Sequence, residues 1–211
     1  MVWAVALAAC HVGQDYKPDG SVAPDGSTQK PGLNVTWSSN PDIPVDLGNG
    51  MTIDSATFKL DTFRVIGDAG DSQTTKSDFD ITWSSNGGPS RITFANAPTG
   101  LYSRVSIQAD GHIIDYSYEI KGTVKLGTTT YDYDIHDRNA LNVSLMINKT
   151  LQPGGGATVR LQLQLQAAVT AVNWAAFTPD DHSIDFDTFD AQMPAFRTNL
   201  LQGFVVDPVD E

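Results

Sequence analysis

The chain has 211 residues, with 13 Lys and Arg against 25 Asp and Glu, for a formal charge of −12 at neutral pH. That length suits one domain with tails, and a charge of that sign excludes a protein that works by neutralising nucleic-acid phosphates. Apolar residues make up 40% and charged residues 18%, with 18 Gly and 11 Pro, which excludes wholesale disorder and points to a loop-rich globular chain. Among the acids only Glu119 and Glu211 are glutamate. The rest are Asp, which favours turns and caps over helix interiors, so the balance leans toward β structure.

Residues 1–10 form an apolar run that ends in Cys10, the sole cysteine, so no disulfide forms within the chain. The run is shorter than the roughly 20 apolar residues a bilayer span needs, and it lacks the basic start of a complete export signal. It reads as the end of such a signal whose start lies upstream. Leu7-Ala8-Ala9-Cys10 resembles the lipobox of bacterial lipoproteins. That resemblance implies that Cys10 carries the lipid as the first mature residue and that residues 1–9 are removed. His11 stands where an Asp commonly holds such proteins in the inner membrane, which implies the outer membrane or cell surface.

Residues 11–48 are rich in Pro, Gly, Asp and Ser with little periodicity, and they are expected to form a tether. Lys17-Pro-Asp-Gly20 and Ala23-Pro-Asp-Gly26 are turn tetrapeptides. A flexible coil of this length reaches roughly 30 to 35 Å. An ordered arm nucleated by Val35-Thr36-Trp37 is the alternative.

From residue 49 to 177 the pattern has period two, the mark of strands with one buried face. Ala56, Phe58 and Leu60 alternate, then Phe63 and Val65 continue in the opposite phase, which requires a bulge near Asp61-Thr62. Phe79, Ile81 and Trp83 follow, then Ile92 with Phe94, and Val105 with Ile107. A longer run holds Ile114, Tyr116, Tyr118 and Ile120 and extends toward Leu126. After Gly127-Thr-Thr-Thr130 come Tyr131, Tyr133 and Ile135, the second arm of a hairpin. Leu141, Val143, Leu145 and Ile147 make the next strand, and Val159, Leu161, Leu163 and Leu165 the last. About eight turn-bounded strands predict an antiparallel β-sandwich, with a barrel or an open sheet under a helix as the other arrangements. Ala167 to Phe177 is spaced for a short helical or irregular turn, with an extension of the preceding strand as the alternative. Residues 178–211 are expected to be an acidic connector and an amphipathic helix packed on the domain. Phe189, Met193, Phe196, Leu200 and Phe204 form its stripe, Thr188 or Asp187 its N-cap, and Pro194 must fall in its first turn.

Three clusters carry candidate chemistry. Val35-Thr36-Trp37-Ser38-Ser39-Asn40 is repeated as Ile81-Thr82-Trp83-Ser84-Ser85-Asn86. Trp37 and Trp83 with Asn40 and Asn86 offer indole platforms and amides for carbohydrate, against the plainer reading that Trp closes a strand and Ser-Ser-Asn opens a turn. Asp132, Asp134 and His136 share one strand face. Residues two apart on a strand lie about 6.6 Å apart, too far to converge on one metal unaided, so pairing with Lys121 and Lys125 of the partner strand explains them more simply. Asp180, Asp181, Asp185 and Asp187, with Asp190, are oxygen donors for a low-affinity Ca²⁺ site but lack the EF-hand spacing; a solvated connector is the plainer reading. No other cofactor is expected. Nucleophile elbows, zinc-helix motifs and phosphate loops are missing from the sequence, and Ser27-Thr-Gln-Lys30 lies where no helix aligns its Lys with its Ser.

Ala97-Pro-Thr-Gly-Leu-Tyr102-Ser-Arg-Val105-Ser-Ile107 resembles the Gly-x-Tyr opening of a strand in transthyretin-like sandwich domains. Together with the lipobox, the strand pattern from about Thr52 to Val172 is similar to the domain of unknown function 4382 family. That family brings no activity with it. Gly100 permits the tight turn, and Tyr102 buries its ring while its hydroxyl reaches backbone. The chain is therefore expected to be a lipid-anchored, non-catalytic envelope protein with a binding or structural role. Its partners would be the membrane, through the lipid, and an envelope polysaccharide or protein, with no nucleic acid. A carbohydrate-binding module is the alternative, and a hydrolase of envelope polymers a second one that needs acids converging in a cleft.

Overall fold

The computed structural model describes residues 31–111 and 115–207; Cys10, the lipobox, His11, His112 and Ile114 lie outside the described residues. The described chain is mainly β. Thirteen strands occur among the described residues: β1 (Gly32–Ser39), β2 (Val45–Gly48), β3 (Met51–Ile53), β4 (Ser55–Gly67), β5 (Thr75–Trp83), β6 (Ile92–Phe94), β7 (Gly100–Ala109), β8 (Tyr118–Leu126), β9 (Thr129–Asp137), β10 (Leu141–Leu151), β11 (Gly156–Leu163), β12 (Ser183–Phe186) and β13 (Phe204–Val206). Two helices, α1 (Gln166–Thr170) and α2 (Met193–Gln202), flank a 3₁₀ turn at Trp174–Ala176.

Seven strands form one sheet in the order β10-β7-β4-β8-β9-β12, with β5 also paired to β4; four form a second, β13-β11-β1-β6; β2 and β3 make a hairpin. One core joins them. Phe58 is fully buried and meets Trp83 and Tyr118 of its own sheet and Phe204 of the other, the last edge-to-face at 5.2 Å. Phe63 likewise stacks on Phe94 across the two sheets. Rings of this size dominate core energetics, so these contacts hold the layers together.

The alternation of β4 breaks where its two phases demanded. The register against β7 slips between Leu60 and Thr62, and Asp61 is the extra residue, so Leu60 and Phe63 both stay buried. Gly127, at φ 64°, turns the β8–β9 hairpin. Tyr102 is buried, and its hydroxyl donates to the Pro98 carbonyl at 2.6 Å, as its place after Gly100 predicted. Strands β1, β2, β3, β12 and β13 take the count above eight.

Three expectations are corrected. The tether of residues 11–48 gives way at Gly32 to β1, which runs parallel to β11 over its whole length and antiparallel to β6, with Leu33 and Val35 at 0% exposure. Its few apolar residues are spent entirely on the core, which composition averaged over the segment conceals. The acidic connector contains β12, which pairs parallel with β9 and buries Ile184 and Phe186. Two parallel pairs therefore interrupt the expected antiparallel arrangement, each made by a strand brought in from a distant part of the chain. Finally, α2 starts after Gln192 rather than at Thr188 or Asp187, with Pro194 in its first turn. A helix begun earlier would place that ring against a carbonyl one turn back. Met193, Phe196 and Leu200 are buried as the stripe required, while Phe189 is 86% exposed and Phe204 belongs to β13.

Gly122 explains where the β2–β3 hairpin lies. A Cβ there would overlap the Thr52 carbonyl, so only glycine lets the hairpin cross β8. Tyr133 secures the crossing by donating to that carbonyl at 2.6 Å.

Candidate functional site

The β8–β9 hairpin sorts its residues by parity. Tyr118, Ile120, Val124, Tyr133 and Ile135 turn into the core, leaving Glu119, Lys121, Asp134 and His136 on the outer face. Register sets Glu119 opposite His136 and Lys121 opposite Asp134, and parallel β12 adds Asp185 beside Asp134. Lys121 reaches Asp134 across the strands at 3.4 Å, the pairing expected for that acid, and Glu119 on its own strand at 3.0 Å. Lys125 lies opposite Thr130 instead, one step from Asp132.

His136 is the least exposed member, at 8%. Its Nδ1 lies 3.5 Å from Asp134 Oδ1 and its Nε2 lies 3.4 Å from Asp185 Oδ1. Tyr116 covers the imidazole at 4.0 Å between centroids, and the Arg138 guanidinium stands 5.4 Å from the other ring's centre. Burial pushes the Asp134 carboxyl above the ordinary carboxylate range, reinforced by the charge of Glu119 and opposed by Lys121 and His136. Lys121 is held above the ordinary lysine value, chiefly by its bond to Glu119. Farther along the same face, Lys59 pairs with Asp115, which raises the lysine and lowers the acid through their shared hydrogen bond. Beside that pair is an open depression of about 240 Å³ rimmed by Asp61, Asp78, Asp80 and Asp110.

On the inner side of β9, Asp137 is fully buried and accepts bonds from Arg197 Nε and Nη2 at 2.7 Å each and from the Tyr118 hydroxyl at 3.0 Å. The Asn139 N–H occupies its other oxygen. This network clamps α2 to the sheet. Burial, with the negative charge of Asp137, pushes the Tyr118 phenol far above its ordinary value.

The sequence-derived candidates fare differently. Trp83 is 2% exposed and Trp37 packs partly buried against it, edge-to-face at 6.4 Å. Neither presents the flat open ring that sugar stacking needs, a correction to the carbohydrate reading. Their indole N–H groups are buried without an acceptor among the described residues, while Asn40 and Asn86 are exposed. Ser84 and Gly87 close a tight turn, and Ser39 Oγ accepts the Ile43 N–H, so the repeated Ser-Ser-Asn serves chain reversal in both copies. The Asp group is scattered. Asp180 closes a turn with Ser183, Asp181 is exposed beside His182, Asp185 faces His136, and Asp187 accepts the Phe189 N–H. Among the described residues no three His, Cys, Asp or Glu side chains converge as metal ligands. For His136 the reason is geometric: its two carboxylates sit at opposite ring nitrogens.

Glu119 and Asp134 share Lys121 on the outer sheet face. Sequence reading missed Asp137–Arg197 and Asp185–His136, because both pairings depend on which distant segments return to β9. Comparison with family models, curated proteins and solved structures gives no match for this chain.

Proposed function

We propose that this chain is a lipid-anchored, non-catalytic β-sandwich protein of the bacterial envelope, held at the outer membrane through Cys10 and serving a binding or structural role. The observation that carries the reading is Leu7-Ala8-Ala9-Cys10, a lipobox-like tetrapeptide ending in the sole cysteine and placed shortly before the first core strand at Gly32. The four- and seven-stranded sheets that share one core support the sandwich arrangement. The non-catalytic part of the reading rests on the sequence, which carries no nucleophile elbow, zinc-helix motif or phosphate loop.

The test is intact mass and membrane fractionation of the protein expressed in a bacterial host from its full upstream reading frame, for wild type and Cys10→Ala. A diacylglyceryl adduct on Cys10, with membrane association lost in the variant, is the expected result. A soluble, unmodified protein that keeps residues 1–9 would overturn anchor, location and role together.

A further inference from the structure

His136 stands where one element of the fold can be added to or loosened from the rest. Among the described residues, strand β12 is the last strand on its side of the seven-stranded sheet, only four residues long, and its single ladder is to β9. Its inward side chains, Ile184 and Phe186, enter the core, while on its outward side Asp185 faces His136.

The two nitrogens of that imidazole have conflicting needs. Nδ1 and Asp134 Oδ1 are both buried, neither has a hydrogen-bond partner among the described residues, and they face each other at 3.5 Å. Nε2 faces Asp185 Oδ1 at 3.4 Å. A neutral imidazole has one N–H and one lone pair, so it can serve only one of the two carboxylates and turns a lone pair toward the other. The imidazolium turns an N–H and its positive charge toward both. We infer that His136 is a proton-operated latch that fastens the edge strand β12 to β9, closed when the imidazole is doubly protonated and slackened when it is neutral.

The surroundings are anionic. Glu119 lies opposite His136 on β8, Asp134 is on its own strand and Asp185 is on β12, so three carboxylates surround one imidazole. The cations nearby have other partners: Lys121 bridges Glu119 and Asp134, and Arg138 lies over the Tyr116 ring. Tyr116 covers the imidazole with a π-face that attracts a cation. Asp185 is 72% exposed, so when its donor is lost it can swing to water and leave β12 held by its ladder and inner side chains alone. Slackening would pass along the chain to the Asp187–Gln192 loop, which carries exposed Phe189 and leads into α2.

Amide hydrogen exchange of the full chain tests this, with each rate expressed relative to an unstructured peptide at the same pH and with β7 as internal reference. Imidazoles change charge near neutrality, so protection of residues 183–186 is compared at about pH 5.5 and pH 8. The wild type should be roughly three- to fivefold more protected at the lower pH, the scale of a partly exposed ion pair, with β7 unchanged. His136→Gln and Asp185→Asn should both abolish the difference, the latter at a position exposed enough to leave folding intact. His182→Gln, which alters the exposed histidine next to β12, should keep it. A flat wild-type ratio, a ratio that survives Asp185→Asn, one lost in His182→Gln, or one matched by β7 would overturn the latch.

Discussion

Leu33→Ala separates a core strand from a tether by a large margin. Leu33 is 0% exposed, paired on one side with Ala157 of β11 and on the other with Phe94 of β6. Because β1 lies between two strands, neighbours on both sides prevent the site from closing over the lost methyl groups. Buried Leu→Ala changes cost about 2–5 kcal/mol, and this flanked position belongs near 3. With a urea dependence of about 2 kcal/mol per molar, the unfolding midpoint should fall by about 1.5 M. Equilibrium urea unfolding, followed in parallel by tryptophan fluorescence and far-ultraviolet circular dichroism, gives the number. A residue in a solvated tether would move stability by no more than about 0.5 kcal/mol. A midpoint shift under about 0.2 M would therefore refute the placement of β1 in the core.

Further predictions concern the crossings and clamps. Gly122→Ala should lift the β2–β3 hairpin off β8 and cost about 1–3 kcal/mol, a drop of some 3–10 °C in Tm by calorimetry, whereas an unchanged Tm would mean that the hairpin does not cross there. Arg197→Met leaves the fully buried Asp137 without its cation and should cost about 3 kcal/mol in urea unfolding, while Phe189→Ser, at an 86% exposed site, should stay within about 0.5 kcal/mol. Tyr118 and Tyr133 have phenols raised above the ordinary value by burial, so above about pH 10 the unfolded chain releases protons that the folded chain keeps, and stability falls as pH rises. Alkaline titration at 295 nm should show a cooperative step that coincides with loss of circular dichroism; phenols that all titrate smoothly while the fold persists would contradict this burial.

Much of the β architecture was legible because alternation reports directly which side of a strand is buried. The phase change at Asp61, the turn at Gly127, the stripe of Met193, Phe196 and Leu200 and the buried Tyr102 were all readable from local pattern. The outer face was half legible. Lys121 beside Asp134 followed from hairpin register, since a short turn leaves few ways to align two strands. Trp37 and Trp83 were not, because an indole at a strand end suits a core edge and an open platform equally well, and only the packing of Phe58 and Phe63 against them decides.

Alternation along the chain placed strands β4 to β11, the β8–β9 hairpin and the polarity of their faces, because these depend on residues close together in the chain. Only the tertiary structure decided that Gly32 aligns with Gly156, that Asp185 arrives beside Asp134 to flank His136, and that Arg197 meets Asp137. A parallel partner is reached through a long crossover, and its choice reflects how the whole core closes. Local periodicity carries no record of that closure.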